Sequence, residues 1–155
     1  MGSGKSVVGA LVAYRARAPF FDLDFIIESE AGMSVPDVFA SRGEPGFRAL
    51  ESRLLPFALQ TGAVVALGGG TAVDDANWQL IQERATSIYL ELPFERIWER
   101  IGRSENRPLI AGRLRTEVEL LFERRRSRYE QAEHRVNGDR SPDEIAGDVL
   151  ALWSD

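Results

Sequence analysis

The sequence predicts a three-layer α/β fold, a parallel sheet flanked by helices, in one domain. Three observations carry this expectation. Short apolar runs that read as strands, "PFFDL" at 19–23, "AVVAL" at 63–67 and "SIYLEL" at 87–92, alternate with helical stretches. The middle run is continuously apolar and ends in Gly68-Gly69-Gly70, the pattern of a buried parallel strand. Gly2-Ser3-Gly4-Lys5-Ser6 opens a helix from a glycine-rich turn. A chain of 155 residues is long enough for one core and short for two.

The elements follow in order. Residues 4–16 read as a helix and 19–23 as a strand. Helical stretches follow, broken near Gly32 and Gly43. Residues 46–60 are amphipathic, with Phe47, Leu50, Leu54 and Ala58 at helical spacing. Residues 74–83 and 94–102 read as helices on either side of the strand at 87–92. Residues 103–114 are polar and arginine-rich and read as a loop. A long helix is expected over 115–133, with Val118, Leu121, Phe122, Tyr129 and Ala132 on one stripe. "HRV" at 134–136 is short enough for an edge strand. Ser141-Pro142-Asp143-Glu144 places Ser at the N-cap, Pro at the first helical position and Glu at the third, so it starts the last helix.

Composition removes several function classes. There is no cysteine and His134 is the only histidine, so thiolate chemistry and histidine metal clusters are excluded. A net charge of −5 argues against a nucleic-acid binder. No apolar run approaches a membrane span, and the first residues lack the core of a secretory signal, so a cytoplasmic protein is expected. Lys5 is the only lysine among 19 basic residues. In a chain that otherwise uses arginine, that one position points to work for a compact ammonium group.

The chemistry-bearing residues begin at that lysine. Gly2 to Ser6 match the second half of a phosphate-binding loop, in which backbone N–H groups wrap a phosphate, Lys5 reaches the β and γ phosphates and Ser6 holds Mg²⁺. Asp22 and Asp24 close the first strand, at the end where open α/β sheets bind ligands. One could assist Mg²⁺ through water and the other bond a substrate hydroxyl, while Asp24 could instead cap the next helix. Arg48 precedes Glu51 by three residues, and Glu51 lies on the apolar face of its helix, where a buried carboxylate needs a partner. Arg125 lies in the apolar stripe of the long helix, as an arginine facing a cleft does. The glycines 68–70 offer backbone N–H groups to a ligand at a strand end. Arg107, in the polar loop before Pro108, is placed to close over a transferring phosphoryl group.

Taken in order, G-S-G-K-S, D-x-D, F-R-x-x-E, G-G-G, R-P-L and R-x-x-x-Y resemble the shikimate kinase family across the whole chain. The segments are Gly2 to Ser6, Asp22 with Asp24, Phe47 to Glu51, Gly68 to Gly70, Arg107 to Leu109, and Arg125 to Tyr129. The resemblance implies a P-loop kinase fold over 1–155, with a substrate-binding region about 24–60 and a lid about 103–114. It implies transfer of the γ-phosphate of ATP to the 3-hydroxyl of shikimate, on the route to chorismate and the aromatic amino acids. ATP and shikimate are then the partners, Mg²⁺ the cofactor, and the chain a monomer. Lys5, Asp24 and Arg107 become catalytic. Gly2, Ser3, Gly4, Lys5, Ser6, Arg100 and Arg107 bind ATP, with Arg100 stacking on adenine. Asp24, Arg48, Gly68, Gly69, Gly70 and Arg125 bind shikimate, the two arginines on its carboxylate. Ser6 and Asp22 hold the metal. The family's first strand and first loop glycine would precede Met1 by a few residues, and a central strand is expected there. A gluconate-type kinase and a non-catalytic relative of the same fold are the alternatives.

Overall fold

A computed structural model describes residues 2–101 and 112–153. Its elements run α1 (Lys5–Ala16), β1 (Phe20–Asp22), α2 (Leu23–Ala31), α3 (Val35–Ala58), β2 (Val64–Ala66), a short 3₁₀ turn (Thr71–Val73), α4 (Asp75–Arg84), β3 (Ile88–Glu91), α5 (Phe94–Ile101), α6 (Arg115–Tyr129), β4 (His134–Asn137) and α7 (Pro142–Ala151). The strands pair in parallel, as expected, but in two ladders: β1 with β2, and β3 with β4.

Both faces of the strands are covered. Successive strand residues point to opposite faces, and Val65 packs into a core built by α2, α3 and α4, with Leu23, Ile27, Leu54, Leu55 and Trp78 buried. Its neighbour Val64 joins Ile88, Leu90 and Val136 in a second core closed by Val8 and Val12 of α1 and by Ile145, Ala146 and Val149 of α7. The two ladders therefore share one helical layer. A third cluster joins Phe94, Ile97 and Ile101 of α5 to Val118 and Phe122 of α6.

Local chemistry sets the element ends. Gly32 stops α2 in a left-handed conformation. Gly43, at φ 67° and ψ 179°, interrupts α3 as its place in the sequence suggested. Ser141 and Glu144 form the expected reciprocal cap of α7. Helix α6 ends at Tyr129, earlier than the expected 133. There the chain tightens, Gln131 N–H bonding to Arg128 and Ala132 N–H to Tyr129, which delivers Glu133 N–H to the Ser87 hydroxyl at 3.0 Å and starts β4 beside β3. No helix among the described residues is long and apolar enough to cross a membrane.

Candidate active site

The loop before α1 has the shape its sequence requires. Gly4 caps the helix at φ 86°, a left-handed conformation that suits glycine. The helix N–H groups that follow are thereby aimed at an incoming anion. Lys5 reaches back toward the loop, with Nζ 3.4 Å from the Ser3 hydroxyl. Ser3 is buried and Gly4 exposed.

The Ser6 hydroxyl donates to the Asp22 carboxylate. A hydroxyl beside a carboxylate, next to a phosphate loop, is the donor set that Mg²⁺ takes while keeping several waters. Among the described residues no group of three or more acidic, histidine or cysteine side chains converges on one point.

Asp24 sits differently from the sequence expectation. The strand ends at Asp22, and Asp24 lies in the first turn of α2. The cap is Asp22, whose Oδ1 accepts from Asp24 N–H at 3.1 Å. That bond turns the chain into helix one residue after the strand and leaves the Asp24 carboxylate free of capping. Burial pushes the Asp24 carboxyl up to about 6; the negative charges of Asp22 and Glu51 add to this, and Lys5 opposes it.

Several of the expected substrate-site residues gather at the turn at Gly68–Gly70. A Cβ on Gly68 would lie 2.7 Å from Glu51 Oε1 and 3.2 Å from both Asp24 Oδ1 and Thr71 Oγ1. A Cβ on Gly70 would fall inside the guanidinium of Arg48. Glycine at these positions lets four side chains, Glu51, Asp24, Thr71 and Arg48, close on the backbone. Arg48 and Glu51 form the ion pair expected from their spacing. The other edge of Arg48 meets Glu44, with Nη2 3.1 Å and Nε 3.3 Å from Oε1. Burial works against the charge on Arg48, but the carboxylates of Glu51 and Glu44 outweigh it and hold its pKa up.

Arg125 is 7% exposed, as its place in the stripe of α6 predicted. It lies one helical turn before Tyr129, close enough for its charge to act on the phenol. The Tyr129 hydroxyl in turn donates to the carbonyl of Gly69. Among the described residues no carboxylate lies within ion-pair distance of Arg125. A buried cation so placed suits an anionic ligand. Burial raises the Tyr129 pKa and the Arg125 charge opposes the rise, so the phenol keeps its proton to donate.

Arg100 is exposed and spans two loops, Nη1 to the carbonyl of Ser3 and Nη2 to that of Gly138, both at 3.4 Å. It thus borders the phosphate loop, where the nucleotide was expected. Arg107 and most of the expected lid lie outside the described residues. The sequence reading did not single out two buried polar residues, Thr71 and Asn77. The Thr71 hydroxyl donates to Glu51 Oε1 at 2.6 Å, and Asn77 Nδ2 donates to the Thr71 carbonyl at 3.2 Å. The one available signal was a threonine directly after three glycines.

Comparison with known proteins bears on the family and the fold. A family model described as shikimate kinase matches residues 1–153. The shikimate kinase of Salinibacter ruber is 41% identical over 163 residues, covering 98% of this chain and 80% of its own. That of Aquifex aeolicus is 34% identical, covering 97% and 89%. The solved structure of the Aquifex aeolicus enzyme superposes with a TM-score of 0.88 over 99% of this chain and 91% of its own. The shikimate kinase of Acinetobacter baumannii, solved in complex with shikimate, gives 0.94 at 29% identity, over 99% and 88%. The fold is accordingly that of the P-loop kinases. Matched along nearly its whole length in sequence and in backbone, the chain belongs to the shikimate kinase family.

Proposed function

We propose that the chain transfers the γ-phosphate of ATP to the 3-hydroxyl of shikimate, giving shikimate 3-phosphate and ADP. The observation that supports this most is the gathering of Asp24 and Arg48 at the turn at Gly68–Gly70, with the buried Arg125 one helical turn from the Tyr129 that bonds to Gly69. Arg48 and Arg125 hold the carboxylate of the acceptor, and the backbone of Gly68, Gly69 and Gly70 borders its ring. Asp24 accepts a hydrogen bond from the attacking hydroxyl and takes its proton as the O–P bond forms. Lys5 follows the charge on the transferring phosphoryl group, and Gly2, Ser3, Gly4 and Ser6 cradle the phosphates. Arg107 on the lid at 103–114 closes over them, and Arg100 stacks on the adenine. Ser6 and Asp22 would hold Mg²⁺, which when bound neutralises charge on the β and γ phosphates. The chain works as a monomer in the cytoplasm.

A coupled assay of ADP release tests the reading with shikimate, gluconate and nucleoside monophosphates as acceptors. Turnover with shikimate alone is expected. Equal or faster turnover with gluconate would replace shikimate as the substrate, and no turnover with any acceptor would leave a ligand-binding relative.

A further inference from the structure

Glu51 has no exposure to solvent, and each of its carboxylate oxygens has a partner. Oε2 takes Arg48, and Oε1 takes the Thr71 hydroxyl at 2.6 Å. Thr71 is itself fully buried. Its N–H bonds to the Gly68 carbonyl at 3.2 Å, and its own carbonyl receives Asn77 Nδ2 at 3.2 Å. Asn77 is 5% exposed and fixed in turn, its N–H bonding to the N-cap carboxylate of Asp74 at 2.9 Å. An unbroken relay therefore runs from the start of α4 through the turn to α3: Asn77, Thr71, Glu51, Arg48. A threonine hydroxyl has one proton to donate, and this one is committed to Glu51.

We propose that Thr71, seated by Asn77, is a positioning residue for the acceptor: its hydroxyl fixes Glu51 so that Arg48 lies flat on Gly70 and presents its guanidinium to the carboxylate of shikimate. The inference rests on the reaction proposed above. With the hydroxyl gone, Glu51 Oε1 has no donor in a site closed to water. The N–H groups of Arg48, already bonded to Oε2, are donors within its reach. Glu51 then turns toward Arg48 and draws the guanidinium off the turn. The packing there leaves little tolerance, because Arg48 already occupies the volume that a Cβ on Gly70 would fill.

The test compares the unaltered chain with Thr71→Val, which keeps the shape, and Thr71→Ser, which keeps the hydroxyl. KM is measured separately for shikimate, for its methyl ester and for ATP, the ester as competitive inhibitor where its turnover is slow. Thr71→Val is expected to raise KM for shikimate about tenfold, the scale of one lost hydrogen bond to a charged group. The constants for ATP and for the ester, which lacks the carboxylate, should stay within about twofold, and Thr71→Ser should restore the shikimate value. An unchanged shikimate KM in Thr71→Val overturns the proposal. So does a loss shared by the ester and ATP, or one that serine does not repair, since either marks general damage to the fold. Should Thr71→Val not fold, Thr71→Ala removes the same hydroxyl without crowding Glu51 and is read by the same constants. An unaltered chain with no turnover on shikimate refutes the proposed reaction itself, and this inference with it.

Discussion

The hydroxyl of Tyr129 donates to the carbonyl of Gly69, so helix α6 is tied to a turn sixty residues earlier in the chain. The same tyrosine lies one turn from Arg125, whose charge acts on the phenol. Helix α6, which carries Arg125, is thereby held in register with the glycine turn. Tyr129→Phe is expected to cost about 1–2 kcal/mol of stability, a buried carbonyl losing its donor, and to raise KM for shikimate more than KM for ATP. Urea unfolding and initial rates measure the two effects. Equal changes in both Michaelis constants would mean that the bond serves the fold and not the acceptor.

Asp24 links the pH dependence of rate to that of stability. A carboxyl with a pKa pushed from 3.8 to about 6 binds its proton more tightly in the folded chain than in the unfolded one. Folding is thus favoured by this group at low pH, loses that advantage as pH rises from 3.8 toward 6, and carries the full penalty above 6. Asp24→Asn removes the penalty, and at pH 7 the variant should be more stable by roughly 1–3 kcal/mol while turnover is nearly lost. In the unaltered chain kcat/KM should climb with pH to about 6 and level off, as a base that must be ionised requires. Thermal melts and a pH–rate profile check both. An asparagine variant less stable at pH 7 would show that Asp24 is a structural anchor.

Lys5→Ala should lower kcat by on the order of 10²–10³-fold, the cost of losing a preorganised charge at the transferring group. Shikimate binding, followed by calorimetry without nucleotide, should be nearly unaffected. Normal turnover in this variant would take the loop out of the mechanism.

Gly70→Ala places a methyl group where the Arg48 guanidinium sits. Its KM for shikimate should rise about tenfold, and the same substitution added to Arg48→Ala should cost little more, because neighbours that act through one contact are not additive. Additive losses in the double variant would show that alanine disturbs the turn and not the arginine.

The parts of the site legible in the sequence were those that local spacing specifies. Arg48 and Glu51 pair because residues three apart share a helix flank. Arg125 is buried because it falls in the apolar stripe of its helix. The Gly2–Ser6 turn announces itself through residue types that few other structures need. Asp24 was placed at a strand end because nothing in the sequence says which of two aspartates will cap. The point at which the chain leaves the strand decides that, and with helix beginning at Leu23 it is Asp22 that accepts from the Asp24 N–H. Thr71 and Asn77 escaped notice because their partners are set by packing: Glu51 lies twenty residues before Thr71, and only the closed fold brings them together. The early end of α6 was hidden for a related reason. Residues 130–133 carry no helix breaker, and the Glu133 N–H is taken up by Ser87, which directly precedes the distant strand β3.

The break at Gly43 divides α3 into a first segment beside α2 and a second that carries Phe47, Leu50, Leu54 and Leu55 into the core, with Arg48 mounted among them. It gives the two segments unequal freedom to drift in evolution. A residue gained or lost before Gly43 can be absorbed at the break, with the helical phase of Arg48 unchanged. The same event after Gly43 rotates whatever lies between it and the fixed core by about 100°, enough to carry a side chain from the cleft to the flank. Length variation among relatives should therefore gather on the N-terminal side of that glycine, while the four-residue step from Glu44 to Arg48 and the three-residue step on to Glu51 stay constant in every chain that keeps this arginine.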